Sequence, residues 1–432
     1  MRPSWKICIW CLFLPFFSFS QRTYSATSIL SAGDWYKFSI SQTGIYKIDL
    51  AFLQKLGIKG NSFPSSAIRL FGNGGAMLPE ACAGQVQDDL KENAIWLEDG
   101  GDGVFSGSDY FLFFAQGPHQ WKKDSLNKRF AHEKNLFTEK AFYFLTISGS
   151  GKRIAQANPI ANSNITITSF DDRYFFELDT INFLGSGKQW YGDEFSSNPG
   201  KLLLRSYPVP IPSFIASSPV TLQAAVAARS VGNSSRFAFR MNGQQLLQLD
   251  VAGTTSIPTD PFAKTSSGTG ASTITGAPGV QVEFVPGNSS AQGWLDWFEI
   301  FGRRDLSFSG STALLFRDWN SVAPGNVGSF TIKNASNVIV WEVTDPSSPV
   351  RMPTTTSPTD IGFNNDCSRL REYAAFKIDN TLTPESVGHI ENQNIHQPGI
   401  VDYIIVANPI LRSEANRIAA HHLQKDCTEK ST

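Results

Sequence analysis

The chain has 432 residues, with 37 Lys and Arg against 38 Asp and Glu and a formal net charge of −1. That balance excludes a basic nucleic-acid surface and offers nothing to a polyanion, so no nucleic-acid partner is expected. With 33 Phe, 10 Trp, 35 Gly and 23 Pro, it reads as a mainly β, secreted protein of roughly two to four domains, not a helical one.

The N-terminus reads as a leader. Arg2 and Lys6 precede the apolar run Ile7 to Phe17, and Ser18-Phe19-Ser20 places small residues before a cut near Gln21. Residues 1–20 are therefore expected to be a signal peptide, with a core too short to span a bilayer. Cys11 lacks the preceding small residues of a lipoprotein signal. Cys8 and Cys11 would leave with the leader. Cys82, Cys367 and Cys427 would remain, an odd and widely spaced set that matches neither a disulfide framework nor a zinc pattern.

Residues 21–150 form an expected N-terminal β-rich domain. Asp34 to Ile40 alternates as a strand, Gly44 turns the chain, and Ile45 to Ile48 returns as its hairpin partner. Asp49 caps a short helix from Leu50 to Leu56, which Gly57 stops. Ile68 to Phe71, Tyr110 to Ala115 and Phe142 to Ile147 read as core strands. Residues 151–199 read as a connecting segment.

Residues 200–305 suit a jelly-roll-like β-sandwich. Phe237 and Phe239 alternate with polar neighbours, Asn242-Gly243 is a strong hairpin signal, and Leu246, Leu247, Leu249 and Val251 return. Residues 253–278, rich in Thr, Ser, Gly and Pro, are expected to be a long loop. Val282 to Phe284 and Trp294 to Phe301 close the unit. Residues 306–385 form a smaller β domain with strands at 328–333 and 338–344, and 386–400 read as a polar linker.

Residues 401–432 read as the start of an α/β domain. Val401 to Ala407 is a near-continuous apolar run, as in a strand buried on both faces. Asn408-Pro409 breaks it, and Ser413 can cap a helix to about Gln424, with Leu411, Ala415, Ile418, Ala419 and His422 on one stripe. Lys425 to Thr432 is polar, and no second strand follows.

Few residues suggest chemistry. Asp99, Asp102 and Asp109, set among glycines from Asp99 to Asp109, could wrap a calcium ion. The spacing is not that of an EF-hand, and tight turns between strands account for the same residues. Among the six His, none has metal-ligand spacing. His421 and His422 are adjacent on a helix and diverge by about 100°. Cys427 lies near them, but a polar tail is a poor place for a Cys–His dyad. Trp190, Tyr191, Trp294 and Trp297 could stack on sugars, although a sandwich needs such rings in its core. Gly72-Asn73-Gly74-Gly75 is followed by Leu78-Pro79 rather than a helix, which argues against a phosphate loop.

Several stretches, in order, resemble one family. These are Gly33 to Lys37 with Thr43 to Asp49, Leu70 to Gly75, Leu78 to Glu80, Leu112 to Pro118, Phe316 to Val322, Leu370 to Tyr373 and Asn392 to His396. Asp402 to Val406 resembles the first strand of a gingipain-type peptidase domain. Together they are similar to the PorU-type sortases of the type IX secretion system, over about residues 28 to 425. The resemblance implies a cell-surface cysteine peptidase that removes C-terminal sorting domains from exported cargo and joins the cargo to anionic lipopolysaccharide. It implies an outer-membrane location and an attachment complex with an outer-membrane barrel protein. It implies a Cys thiolate nucleophile and a His base. In such domains both lie beyond the first strand and helix, so no catalytic residue carries over to any position here. Lys425 to Thr432 departs from the pattern, as a frameshift or early stop would. The expectation is the N-terminal region of a sortase, inactive by itself. A non-catalytic, secreted surface or carbohydrate-binding β-sandwich protein is the alternative.

Overall fold

The computed structural model describes residues 24–81, 84, 86–185, 187, 189–276, 278–310, 312–396, 399, 401 and 403–429. The expected leader and Cys82 lie outside them. Gly33–Glu391 is one compact unit, and Met1–Ala32 with Asn392–Thr432 is another. The protein is mainly β, as the composition predicts.

Gly33–Glu391 holds three sandwich-like modules. In the first, a five-stranded sheet runs in the order Glu385–Ile390, Trp35–Ile40, Ala141–Ile147, Ile68–Phe71, Glu92–Asn93. It packs on a three-stranded sheet of Gly44–Asp49, Tyr110–Ala115 and Trp96–Glu98, around Phe38, Ile48, Leu53, Phe111, Phe113 and Tyr143. The helix Leu50–Lys55 follows, and the Asp49 side chain accepts from the Phe52 N–H at 2.9 Å. Gly57, at φ +98°, ends it in the left-handed region that favours glycine.

Two expectations fail in this module. Trp35–Ile40 and Gly44–Asp49 do not pair as a hairpin. Each is apolar on its core face, and the chain crosses from one sheet to the other between them, so their side chains meet through the core. Nor is 386–400 wholly a linker. Glu385–Ile390 pairs antiparallel with Trp35–Ile40, with a register shift at Lys37/Phe38. This is an edge strand, and its half-exposed, polar sequence hides it from an apolar search.

The second module is the expected jelly-roll-like sandwich. One sheet runs Ser169–Glu177, Gln292–Asp305, Pro219–Arg229, Lys264–Thr273, with Glu194–Ser196 also on Gln292–Asp305. The other runs Leu204–Pro208, Gly279–Val285, Ser235–Met241, Gln244–Val251. The Asn242-Gly243 turn has φ of 50° and 80°, the pair of left-handed residues a tight hairpin needs. Residues 253–278 are not all loop, because Lys264–Thr273 pairs with Pro219–Arg229 along its length. Its glycines are there for contact: a Cβ on Gly270 would stand 1.8 Å from the Leu246 carbonyl oxygen.

The third module packs two small sheets. One runs Ala155–Gln156, Val350–Arg351, Ile339–Glu342, Tyr373–Phe376, Leu314–Phe316, and the other Ile165–Ile167, Val327–Ile332, Ile361–Asp366, Thr355–Thr356. Phe316, Phe330, Phe363 and Tyr373 fill its core. Residues 151–199 are thus no mere connector. They supply strands to the second and third modules, and Ser169–Glu177 pairs with Gln292–Asp305 along its whole length.

In the other unit, Ser25 and Leu30 bond through their carbonyls to His396 and Gln393. The helix Arg412–Glu429 forms, but Asn408 rather than Ser413 caps its approach, accepting from Ile410 N–H. Among the described residues of 401–407 there is no ladder pairing, so this run is not a strand. Tyr403 stacks on His422 at 4.3 Å, but no neighbouring strand is there to satisfy its backbone. Ile404 is 74% and Val406 95% exposed. No helix of the described residues is long and apolar enough to cross a membrane.

Candidate functional site

The three modules of Gly33–Glu391 meet at a charged junction. Strand alternation sends Phe170 into the third module's core and Tyr174 and Phe176 against the second's. Asp171, Arg173 and Phe175 therefore lie on the opposite face.

The Arg173 guanidinium lies 4.9 Å from the Trp121 ring centroid and 4.0 Å from that of Phe130. Its Nη2 donates to Glu372 Oε2 at 3.2 Å. The same oxygen is 3.3 Å from Nε of Arg317, a side chain only 2% exposed. Arg317 Nη1 donates to the Asp171 carbonyl at 3.2 Å, and the Asp171 carboxylate accepts from Trp319 N–H at 2.6 Å. Arg303 pairs with Asp171 and Asp318. Arg304 pairs with Asp172.

Burial pulls the Arg173 pKa down to about 9, helped by the nearby Arg317 charge. Burial alone would raise the Glu372 carboxyl, but the Arg317 and Arg173 charges outweigh it and hold the carboxyl low. Two guanidiniums thus share one carboxylate where water screens poorly. A cavity of about 400 Å³ adjoins them, bordered by Gln116, Trp121, Lys123, Arg173, Arg317 and Glu372. Four of the stretches that carry the family resemblance border it: Thr43 to Asp49, Leu112 to Pro118, Phe316 to Val322 and Leu370 to Tyr373. They are dispersed in sequence and adjacent in space. Charge pairing and stacking are what this arrangement can do, and both hold three modules in register.

The expected calcium residues lie elsewhere. Asp99 and Asp102 sit in the turn between Trp96–Glu98 and Val104–Ser106, and Asp109 in the next turn. Each carboxylate accepts from backbone N–H of its own loop: Asp99 from Gly101 at 3.0 Å, Asp102 from Val104 at 2.8 Å, Asp109 from Ser106 at 2.7 Å. A Ser65 hydrogen bond and then the Gly101 N–H lower the Asp99 carboxyl. Gly100, Gly101, Gly103 and Gly107 all have positive φ. These are the marks of turns. Among the described residues, no group of three or more His, Cys, Asp or Glu is placed to hold a metal ion.

Other candidates resolve into packing. Tyr191 and Trp294 are buried, with Phe183 stacked on Tyr191 and edge-on to Trp294, while Trp190 donates its indole N–H to the Gly187 carbonyl at 3.1 Å. Gly72 faces the Tyr143 ring, where a Cβ would come within 2.4 Å. Cys367 is buried, and burial pushes its thiol pKa up, the reverse of an activated nucleophile. The Cys427 side chain lies outside the described residues.

The junction residues were missed by a motif search because no local spacing links Arg173, Arg317 and Glu372. The available signal was charge placed among aromatics, in Phe316-Arg317-Asp318-Trp319 and Leu370-Arg371-Glu372-Tyr373.

No family model and no curated protein matches the chain. The structure is similar to the crystal structure of dimeric latent PorU from Porphyromonas gingivalis, with TM-score 0.77 and 21% identity over 93% of this chain. The fold is PorU-like. The match spans 37% of that PorU chain, little more than a third of its length. A carbohydrate-binding module in complex with calcium and xylotriose matches at TM-score 0.17 and 11% identity, over 31% of this chain and 99% of its own. The insecticidal delta-endotoxin Cry8Ea1 from Bacillus thuringiensis matches at TM-score 0.20 and 10% identity, over 62% of this chain and 52% of its own. Both are too loose to bear on the PorU-like assignment.

Proposed function

We propose that this chain is the N-terminal β scaffold of a type IX secretion sortase, which engages cargo sorting domains and attachment-complex partners without itself cleaving. The PorU-like fold over 93% of the chain carries the reading. The resemblance stretches support it by converging on one junction. On this reading the scaffold works at the cell surface, beside an outer-membrane barrel protein, and the rigid junction sets the geometry at which cargo is presented. Peptidase chemistry is assigned to no residue here. Cys367 is buried and burial pushes its thiol pKa up, so it is not assigned the nucleophile's role.

Immobilised full chain should retain a C-terminal sorting domain or the barrel partner from solution, and a sorting-signal peptide incubated with it should stay intact. Failure to retain either ligand would sink the scaffold reading. Turnover of the peptide would sink the assignment of chemistry elsewhere.

A further inference from the structure

Lys134 follows the hairpin of Gln120–Asp124 and Arg129–Glu133, on the way to Ala141–Ile147 of the first module. Its Nζ donates to Asp179 Oδ2 at 2.7 Å, and the two side chains are only 16% and 22% exposed. Asp179 lies just past the strand Ser169–Glu177 of the jelly-roll-like sheet. The contact therefore joins two modules across 45 positions of chain.

Both ends are anchored by groups other than the ion pair. On the Lys134 side, the His132 N–H donates to Glu299 Oε1 at 2.6 Å, and its ring stacks on Phe175 at 3.5 Å. The buried Asn135 donates its N–H to His119 Nδ1 at 3.0 Å and its side-chain amide to the Gly75 carbonyl at 2.7 Å. On the Asp179 side, Glu177 sits in the ladder opposite Trp297, and the Thr180 N–H donates to the Tyr191 carbonyl at 2.9 Å. The amine and the carboxyl are thus held in contact, out of most of the water, as an intramolecular reaction needs.

A third carboxyl stands beside them. Glu177 and Asp179 flank the exposed Leu178, so alternation puts both on the opposite side of the chain. The Glu177 carboxyl lies within hydrogen-bonding reach of Asp179. Among the described residues, Asp179 Oδ1 is buried with no hydrogen-bond partner. Burial, then the Asp179 charge, raises the Glu177 carboxyl above its ordinary range, so it holds a proton to donate.

We propose that Lys134 and Asp179 join in an intramolecular isopeptide bond, with Glu177 moving the protons, and that this bond ties the first module covalently to the jelly-roll-like sandwich. The ammonium first passes a proton to the Asp179 carboxylate, which removes two charges from a poorly screened site. The Nζ lone pair then attacks the Asp179 carboxyl carbon, polarised by the Glu177 proton. Glu177 takes the excess proton from nitrogen and returns one to a carboxyl oxygen, which leaves as water. One N–C bond forms, one C–O bond breaks, nothing is oxidised or reduced, and Glu177 ends as it began. The amide is neutral, so it removes the Asp179 charge that bears on Glu177 and Asp296, and it costs less to bury than an ion pair.

Tryptic mapping of the full chain by tandem mass spectrometry, after the folded protein has been incubated and then denatured, tests this. The bond blocks cleavage after Lys134, so residues 130–140 and 174–188 should emerge as one branched peptide, lighter than their sum by one water. Lys134→Arg should yield only linear peptides. Glu177→Gln keeps both reacting groups, and its branched fraction should fall at least about tenfold. Cleavage after Lys134 with both peptides linear in the parent overturns the bond, a result that depends on no variant folding. An undiminished branched fraction in folded Glu177→Gln overturns the role of Glu177.

Discussion

At the scale of single residues, the structure separates groups that form turns from groups that hold the molecule together. Asp99, Asp102 and Asp109 each give one oxygen to a backbone N–H of their own turns, and among the described residues they form no group of three placed to hold a hard cation. Calcium titrated into the chain in a calorimeter should give no heat above dilution; a saturable exotherm would restore the metal reading. Arg317 shows the opposite economy. It is nearly inaccessible and holds both Glu372 and the Asp171 carbonyl. Removing one partner of such a pair leaves a buried charge, so Arg317→Ala should lower unfolding stability by about 3–5 kcal/mol. Chemical denaturation would read this, and a loss under about 1 kcal/mol would demote the junction to a surface network.

At the scale of elements, local rules predicted what local physics controls. The Asp49 cap, the Gly57 stop and the Asn242-Gly243 turn are each set by a few dihedrals and one or two hydrogen bonds, and each is found where the sequence places it. Elements whose existence depends on a distant partner were harder to read. Lys264–Thr273 carries the composition of a loop, yet it is a strand because Pro219–Arg229 is there to pair with it. Its small residues permit the approach of Gln244–Val251. Gly270→Ala should therefore cost about 1–3 kcal/mol through backbone displacement, seen as a lower denaturation midpoint, whereas Gly279, with no positive φ and the Tyr207 carbonyl oxygen 4.0 Å from its Cβ position, sets the baseline for glycine replacement. The run 401–407 errs the other way. Its side chains are apolar enough for a buried strand, but strand structure is a property of pairs, and no partner is present among the described residues.

At the scale of the whole molecule, Gly33–Glu391 is tied by ladders that join residues far apart in sequence. Glu385–Ile390 on Trp35–Ile40 closes the first module, so the unit's two ends are held in one sheet. The described residues of 401–424 lack such ties and expose Ile404, Val406, Ile410 and Leu423. Limited proteolysis should cut in 403–424 well before it enters Gly33–Glu391, with fragments read by mass spectrometry. A first cut inside the long-range sheets, with 403–424 intact, would contradict this.

By itself the sequence determined the β class, the Asp49 cap, the Gly57 stop, the Asn242-Gly243 turn, several core strands and the order of the stretches that resemble the PorU-type sortases. Those features rest on periodicity, short-range dihedral preference and residue identity, all written along the chain. Only the tertiary structure decided which strands pair, that 151–199 belongs to two modules, and that Arg173, Arg317 and Glu372 share one buried junction. Arg173 meets Glu372 across 199 positions of chain, and no local pattern encodes which distant partner each residue will meet.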